Sequence, residues 1–328
     1  MDASVYIKRN ADNIQESLLE GLDWVGINNM IGSGSRVAIK PNLTYPFYKE
    51  GVTTSPNLLE ILVKVLKDKT PNISIVESNG SRNAWQAETA FKGHGIDELS
   101  RKYGIKAINL SKTDYDWVDI ERKGRKYEIP LSKFLTDEID VFITVPVPKI
   151  HSMTGVSLGL KNQWGCVPDP ERLNYHYLFD YAICDINKIL NPRIIIGDAK
   201  YMLDVSGPMY GKVRKMDMLI VSNDIGSFEL ACCSIMGIDP ESIEHLKIAK
   251  HKGMLLKKKS DIIFNIPIDS IRTDKFILKR TLRKYIVLAA FKSKLITWLF
   301  YGPSIGKFLH IILYFFKKPD HLKESSEQ

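Results

Sequence analysis

A short apolar run that ends in a turn rich in cations and glycine most constrains the fold of this chain. The run covers residues 139–145, has the length of one buried strand, and continues as PVPKIH to residue 151. Glycines follow at positions 155, 159 and 165. In α/β proteins, ligands bind where a parallel strand ends in such a turn before a helix. Cationic side chains beside helix N-terminal amides favour an anionic ligand there.

Strand-length apolar runs alternate with helical patterns along much of the chain. The predicted strands lie near residues 5–7, 36–40, 73–76, 105–110, 193–196 and 216–221. The predicted helices lie near residues 11–25, 56–66, 84–92, 96–103 and 178–190. Residues 117–131 are expected to form a hairpin that turns at Lys123 and Gly124. The pattern predicts an α/β fold with two lobes and mostly parallel sheets that carry helices on both faces.

Three parts are expected along the chain. Residues 1–148 form an N-terminal α/β lobe, and residues 149–272 form a second α/β lobe that carries the turn with Lys149, His151 and Lys161. Residues 273–328 form a basic, aromatic, amphipathic helical tail. A cleft between the two lobes is the expected ligand site.

The net charge of +8 belongs to the C-terminal segment. Residues 275–318 contain ten of the 46 basic residues and no acidic ones, so the remaining 36 nearly balance the 38 acidic residues. A body of balanced charge predicts no nucleic-acid partner. No apolar stretch in the segment reaches the roughly 20 residues needed to span a bilayer. Basic aromatic helices lie instead on anionic membrane surfaces, although docking on the body or on a protein partner would explain the same pattern.

The N-terminus and the cysteines bear on the cellular compartment. Residues 1–10 lack an apolar secretory core, which predicts a cytoplasmic protein, held at the inner face of the membrane by its tail. The four cysteines, at 166, 184, 232 and 233, lack CxxC spacing, so the chain has no iron–sulfur or zinc motif. We expect them to be reduced core residues.

Several ordered motifs carry a family resemblance. They are IKPNL at 39–43, VTTSP at 52–56, GLKNQWG at 159–165, IGD at 196–198, SND at 222–224 and MGIDP at 236–240. With the turn at 145–151, they make residues 36–255 resemble the domain of unknown function 362 family, which implies a fold and a site more than a reaction. Many relatives carry a ferredoxin-like cysteine cluster that is absent here. The family tends to have Asp where this chain has Glu229, and the basic tail is not part of the family domain.

A more distant similarity is to the nickel-pincer lactate racemases. His151, Gly155 and Lys161 match their His-x3-Gly-x5-Lys spacing. In that family the histidine is a catalytic base and the lysine holds the cofactor covalently. A second histidine loop of that family falls near residues 79–82 here, which contain no histidine. The missing partner argues against lactate-type racemisation.

His151 and Lys161 are the candidate catalytic residues. An imidazole pKa of about 6.5 suits His151 for proton transfer, although a loop histidine bonded to the backbone is the alternative. Lys161 suits binding of phosphate or carboxylate, or a covalent adduct if desolvation lowers its pKa. Its alternatives are helix capping and an ion pair with Asp198. We expect the two side chains to face one concavity at the rim of the sheet.

Other polar residues are candidates for binding the substrate or a metal. The substrate-binding candidates are Lys40, Asn42, Thr53, Thr54, Lys149 and Asn162. For Thr53 and Thr54, helix N-capping explains the hydroxyls equally well. Asp198 and Asp224 each end a predicted strand and suit a divalent metal or the orientation of His151, although Asp is also a common helix cap. His176, Asn79 and Arg82 are weaker candidates, because packing or solvation explains them as well.

The first functional hypothesis is an enzyme that acts on a small carboxylate or phosphate by proton transfer, as a racemase, isomerase or lyase does. His151 would act as acid or base, and lysines would stabilise negative charge. Its cofactor stays open between a divalent metal and a lysine-linked group. The alternatives are a non-catalytic anion-binding, cofactor-binding or assembly protein at the membrane, and an accessory to an iron–sulfur electron-transfer partner.

Overall fold

A mixed sheet of ten strands organises the chain in the computed structural model, which describes residues 2–9, 11, 13–81, 84–256, 258–271, 273–280, 285, 288, 292 and 293. The strands are β1 (Ser4–Arg9), β2 (Val37–Pro41), β3 (Ile73–Glu77), β4 (Lys106–Asn109), β5 (Tyr115–Arg122), β6 (Arg125–Ser132), β7 (Val141–Val145), β8 (Lys149–His151), β9 (Gly155–Ser157), β10 (Ile194–Asp204), β11 (Lys212–Ser222) and β12 (Ile263–Phe264). The helices are α1 (Ile14–Trp24), α2 (Pro56–Lys67), α3 (Ala87–Gly93), α4 (Ile96–Tyr103), α5 (Lys133–Asp137), α6 (Gly159–Asn162), α7 (Phe179–Leu190), α8 (Ile225–Met236) and α9 (Glu244–His251).

The sheet is mostly parallel, with an antiparallel region on one side. Its strand order is β12-β1-β11-β10-β7-β2-β3-β4, and β8 pairs with β10 and with β9. The pairs from β10 through β7, β2 and β3 to β4 are parallel, whereas β11 runs antiparallel to both of its neighbours. Strands β5 and β6 form a separate hairpin around Lys123 and Gly124, which confirms the predicted hairpin.

Helices cover both faces of the sheet, as predicted. On one face, α1 to α4 pack on side chains such as Ile39, Ile75 and Ile143. On the other face, α6 to α9 pack on side chains such as Ala38 and Phe142. Alternate residues of one strand thus enter opposite cores, because successive side chains in a strand point to opposite faces. The alternation explains why the strands of this sheet are apolar almost throughout.

Both predicted lobes contribute strands to this one sheet. The lobe boundary after residue 148 falls between β7 and β8, and β10 of the second lobe pairs with β7 of the first. The division into residues 1–148 and 149–272 stays a prediction. Strand β10 continues to Asp204 because it forms a long antiparallel hairpin with β11, with an irregularity between Ala199 and Tyr201. Asp198 therefore lies inside a strand, and the prediction that it ends one is wrong.

The predicted helical tail lies mostly outside the described residues. Its first residues, 275–280, pack on the body: Phe276 is buried, and the Lys279 N–H donates to the Val205 carbonyl at 2.9 Å. None of the helices in the described ranges combines the length and the apolar character needed to cross a bilayer.

Candidate functional site

The turn with the candidate residues is a small hairpin at the edge of the sheet. Strands β8 and β9 pair antiparallel, with His151 opposite Gly155, and Lys149 pairs with Leu203 of β10. Gly155 has φ +83°, and a Cβ atom there would lie 2.5 Å from the Ile243 side chain. The turn therefore requires glycine for its backbone conformation and for close packing. Strand β9 leads directly to α6, which carries Lys161.

His151 is held in one protonation state by the backbone of this turn. Its Nδ1 atom accepts the N–H groups of Met153 at 3.2 Å and Thr154 at 3.3 Å. Because backbone amides only donate, Nδ1 carries no proton and the neutral ring has its proton on Nε2. Burial, and then the positive charges of Lys161 and Lys149, lower the pKa of His151 well below its usual range. The ring is therefore suited to donate a hydrogen bond from Nε2, and the expected role as a base loses its support, because the Nδ1 lone pair is occupied.

Lys161 is a half-buried lysine with a cation–π contact. Its ammonium lies 5.7 Å from the ring centroid of Phe179, and within the described residues it forms no hydrogen bond or ion pair. Burial, and then the charges of Arg172 and Lys40, lower the pKa of Lys161 to about 8. The alternative ion pair with Asp198 does not form, since Asp198 accepts the Ser55 N–H at 2.7 Å. Lys161 therefore keeps its amine available for a ligand.

Two cavities meet at Lys161. The inner cavity has a volume of about 260 Å³, and its polar lining includes Lys40, Asn42, Glu77, Lys149, Asn162 and Arg172. The outer cavity has a volume of about 660 Å³, and His151 lines it. Lys161, Trp164 and His176 line both cavities. His151 and Lys161 thus face one concavity at the edge of the sheet, as expected from their positions in the turn.

The other lysines of the inner cavity already have partners. The Lys40 ammonium lies 2.7 Å from Glu77 Oε2 and donates to the Pro41 carbonyl, and both side chains of the ion pair are buried. The Lys149 ammonium donates to the Val52 carbonyl. Burial, and then the charges of Lys161 and Lys40, lower the pKa of Lys149 well below its usual range. Both lysines line the inner cavity, their predicted contact with a substrate stays a prediction, and their contacts leave Lys161 as the more available amine.

The sequence motifs did not identify Arg172 or Glu77. The Arg172 guanidinium is buried and donates to the Asn79 carbonyl at 2.8 Å and to Ser78 Oγ at 3.0 Å. Burial lowers the pKa of Arg172, although a guanidinium keeps its charge in proteins. Glu77 could have been predicted from the sequence, because it is a carboxylate at the end of strand β3. No pattern in the sequence marked Arg172, which reaches the site from a 3-10 helix after Pro170.

The GLKNQWG motif, which includes α6, lies against two buried carboxyl groups. A Cβ atom at Gly165 would lie 2.6 Å from Glu77 Oε1, and one at Gly159 would lie 2.7 Å from Ile225. Glu229 Oε1 accepts the Leu160 N–H at 2.7 Å, and burial raises the pKa of Glu229 to about 8. The glycines therefore allow the close approach that positions Lys161.

The remaining substrate-binding candidates hold the loops together. Thr54 Oγ1 donates to the Val145 carbonyl and accepts the Asn42 N–H, each at 2.7 Å. Thr53 Oγ1 accepts the Lys49 N–H at 2.8 Å. Thr53 and Thr54 do not line either cavity, so their hydroxyls are structural, and the predicted ligand contact is not supported. Asn42 lines the inner cavity, and its Oδ1 accepts the Thr44 N–H at 3.2 Å.

Asn162 and His176 occupy the wall between the sheet and the cavities. Asn162 Nδ2 donates to the Lys40 carbonyl at 3.0 Å and to Thr144 Oγ1 at 2.9 Å, so it ties α6 to β2 and β7. The His176 ring stacks on Phe179 with 5.5 Å between centroids, and burial lowers the pKa of His176 to about 4. His176 is therefore neutral near pH 7. Asn79 is buried in the loop after β3, and Arg82 lies outside the described residues.

Asp198 and Asp224 lie apart and act at helix starts. Asp224 Oδ1 accepts the Ser227 N–H at 2.7 Å and begins α8. Asp198 accepts the Ser55 N–H at the start of α2, and burial raises the pKa of Asp198 to about 6. Asp198 pairs with Leu219 of β11, which lies five residues before Asp224. At the spacing of residues in a strand, the two aspartates are therefore roughly 15 Å apart. Within the described ranges, no three His, Cys, Asp or Glu side chains are grouped to hold a metal ion. The predicted metal ligands are therefore helix caps, and neither orients His151.

Comparison with known proteins gives one family and one curated relative of similar length. The family model "Domain of unknown function (DUF362)" matches residues 37–234. A thylakoid-associated protein from Synechocystis sp. is 25% identical over 254 residues, which cover 73% of this chain and 74% of that protein.

Two solved structures are similar at a lower level, each with a TM-score of 0.39. One is a Thermotoga maritima protein, 15% identical over 74% of this chain and 59% of that chain. The other is the lactate racemase apoprotein from Thermoanaerobacterium thermosaccharolyticum, 16% identical over 61% of this chain and 51% of that chain. This chain thus spans less than two thirds of either solved chain.

Proposed function

This chain belongs to the family Domain of unknown function (DUF362), and we propose that it is an enzyme that binds a small carboxylate or phosphate at Lys161 and transfers a proton. The observation that carries the proposal is the amine of Lys161. It lies at the junction of two cavities, without a carboxylate partner among the described residues. A half-buried cation without a counter-charge among the described residues favours an anionic ligand.

The proposed chemistry divides the work between Lys161 and His151. With a pKa of about 8, about a tenth of the Lys161 amine is unprotonated at pH 7 and can accept a proton from the substrate. The His151 Nε2–H would donate a hydrogen bond to the oxygen where negative charge develops. In this step the free amine of Lys161 carries no charge, so Arg172 in the inner cavity would hold the anionic group of the substrate. The reaction class is that of an isomerase, racemase or lyase.

A non-catalytic anion-binding or assembly protein is the second candidate. The observation that favours it is the bonding of His151, whose Nδ1 lone pair is already taken by two backbone amides. Lys161 then remains as a single base, whereas racemisation needs a base on each face of the reacting carbon. An accessory role beside an iron–sulfur partner would use the same anion site without turnover.

The test replaces the ammonium while keeping the length of the side chain. Lys161→Met should weaken phosphate or oxalate binding, measured by calorimetry, by roughly 100-fold, which is the loss of one charged hydrogen bond. Lys200→Met is the matched control, because Lys200 is exposed and lines neither cavity. Equal binding by both variants would show that Lys161 does not bind the anion. Release of product from a bound substrate would separate the enzyme from the binding protein.

Lys161 is also the residue that would hold a lysine-linked cofactor. A free amine with a lowered pKa suits covalent attachment, and Arg172 and Lys149 would meet a phosphate or carboxylate of such a group. Intact-protein mass spectrometry measures the added mass, and peptide mapping assigns it to Lys161. An unmodified mass that accompanies full activity would exclude a covalent cofactor.

The proposal includes peripheral attachment to the inner face of the membrane through residues 275–318. Ten cations and no acids in this segment support it, and the relative from Synechocystis is named as thylakoid-associated. Full-length protein should sediment with anionic vesicles, and substitution of Lys292, Lys294, Lys307, Lys317 and Lys318 by Gln should reduce the bound fraction several-fold. Unchanged binding by that variant would contradict attachment by these lysines.

A further inference from the structure

The outer cavity is larger than a small anion requires, and apolar side chains form part of its lining. Its volume of about 660 Å³ is more than twice that of the inner cavity. Apolar side chains from the sheet edge, α7, the α9 region and the C-terminal segment line it: Ile150, Val156, Phe179, Ile243, Phe276 and Leu278. These apolar side chains, which share the cavity with charged ones, favour a hydrocarbon group beside them, since burial of apolar surface is the main source of affinity in pockets.

The two cavities also differ in the balance of positive and negative side chains. The inner cavity brings together Lys40, Lys149, Lys161 and Arg172 with one carboxylate, that of Glu77. In the outer cavity, apart from the shared Lys161, three described cations (Lys275, Arg280 and Lys292) are offset by Asp180, Asp239 and Glu244. An anionic group is therefore attracted more strongly to the inner cavity.

The first residues of the basic C-terminal segment form one wall of the outer cavity. Phe276 is buried under the Arg214 guanidinium, which lies 4.3 Å from its ring centroid, and the Ile277 N–H donates to Asp204 Oδ1 at 2.8 Å. Arg280 Nε donates to the Ser152 carbonyl at 2.6 Å, in the turn that holds His151. The segment proposed to contact the membrane thus starts at the cavity.

We infer that the ligand of this site is an anionic amphiphile. Its phosphate or carboxylate head contacts Lys161 at the inner cavity, and its hydrocarbon chain occupies the outer cavity. The inference rests on the proposed anion site and specifies its substrate class. A bilayer lipid and a soluble single-chain amphiphile share this chemistry.

The test measures how affinity depends on chain length. Methyl, butyl and octyl phosphate, each below its critical micelle concentration, are titrated into the full-length protein by calorimetry. Each buried methylene should strengthen binding by up to about fourfold, so octyl phosphate should bind at least about tenfold more tightly than butyl phosphate. Octyl glucoside, which has the chain without the charge, should bind more weakly than octyl phosphate.

A matched pair of variants tests whether the hydrocarbon chain of the ligand lies in the outer cavity. Leu278→Trp fills part of the outer cavity and should reduce the gain from butyl to octyl phosphate to about twofold or less. Ile277→Trp is the control, because Ile277 is exposed and lines neither cavity, and it should keep the gain. A full gain in Leu278→Trp would overturn the placement of the chain.

The possible failures separate the two proposals. Equal affinity for methyl and octyl phosphate would overturn the amphiphile and leave the anion site intact. Equal affinity for octyl glucoside and octyl phosphate would also overturn it, because the chain would bind without its head. No phosphate binding at any chain length would overturn the proposed anion site itself. Native mass spectrometry after separate incubations with phosphatidic acid vesicles and with octyl phosphate distinguishes the sources: a retained two-chain lipid indicates a bilayer ligand, and retention of octyl phosphate alone indicates a soluble one.

Discussion

The inner and outer cavities share a wall but differ in how their charged side chains are paired. In the inner cavity, buried cations are held by protein groups, as Lys40 is held by Glu77 and Lys149 by a backbone carbonyl. In the outer cavity, apolar side chains share the lining with charges of both signs. Lys161 lies where the two cavities meet, and among the described residues neither a carboxylate nor a carbonyl contacts its ammonium. The comparison indicates that paired cations build the site, whereas the unpaired one is available for a ligand.

The largest effect should come from breaking the pair in the inner cavity. Lys40→Met leaves the Glu77 carboxylate buried without its partner, which should destabilise the protein by about 3–5 kcal/mol. Adding Glu77→Gln should recover part of the loss. Guanidinium unfolding measures both, and Arg36→Met is the control, because the Arg36–Asp140 pair is exposed and screened by solvent, so its loss should cost far less. An equal loss in Lys40→Met and Arg36→Met would contradict a distinct role for the buried pair.

The pH dependence of Lys161 sharpens the choice between enzyme and binding protein. The pKa of about 8 means that the ammonium is lost as pH rises through 8. Anion affinity should then fall by up to about tenfold per pH unit above 8. Turnover that uses the free amine as base should instead rise with pH and level off near 8. Calorimetry and rate measurements between pH 6 and 10 separate the two, and flat profiles in both would exclude titration of Lys161.

Glu229 should make stability fall with rising pH. Its folded pKa of about 8 lies above the unfolded value, so the folded state binds more protons between those values and loses stability as pH rises through the window. The loss should be roughly 1 kcal/mol between pH 7 and 8. Glu229→Gln keeps an oxygen for the Leu160 N–H and should remove this part of the slope. Identical pH slopes in unfolding of wild type and variant would exclude the effect.

The smallest effect should come from the contact between Arg280 and the turn. Arg280→Met removes the hydrogen bond to the Ser152 carbonyl, which should cost about 0.5–1.5 kcal/mol of local stability. Hydrogen exchange at the amides of Met153 and Thr154, which donate to His151, should become several-fold faster. Lys279→Met is the neighbouring control, since Lys279 is exposed. Unchanged exchange in Arg280→Met would show that the segment does not support the turn.

Much of the local structure was readable from residue patterns. The helix at 96–103, the helix that begins at Pro56 and the hairpin around Lys123 were predicted from spacing and turn residues. The Ser55 side chain forms no capping hydrogen bond, and the Ser55 N–H donates to the carboxylate of Asp198. That contact joins residues 143 positions apart, so no local pattern could indicate it.

The sequence predicted only part of the candidate site, because some of its contacts also join residues that are distant in sequence. The turn at 149–161 was visible because its cations and glycines are close in sequence. Arg172 and Glu77 were missed, since Arg172 meets Ser78 across 94 positions and Lys40 meets Glu77 across 37. Thr53, Thr54, Asp198 and Asp224 were included because polar side chains at strand and helix ends look alike, whether they bind a ligand or cap a helix.

The sequence by itself determined the α/β class, the apolar strands, the turn with His151 and Lys161 and the basic character of the C-terminal segment. These follow from periodicity, glycine placement and charge, which are local properties of the chain. The tertiary structure alone decided which cations are paired, which lone pair of His151 is occupied and which two cavities Lys161 joins. Those outcomes depend on burial and on partners distant in sequence, and burial sets both the pKa of a buried group and the need for a partner.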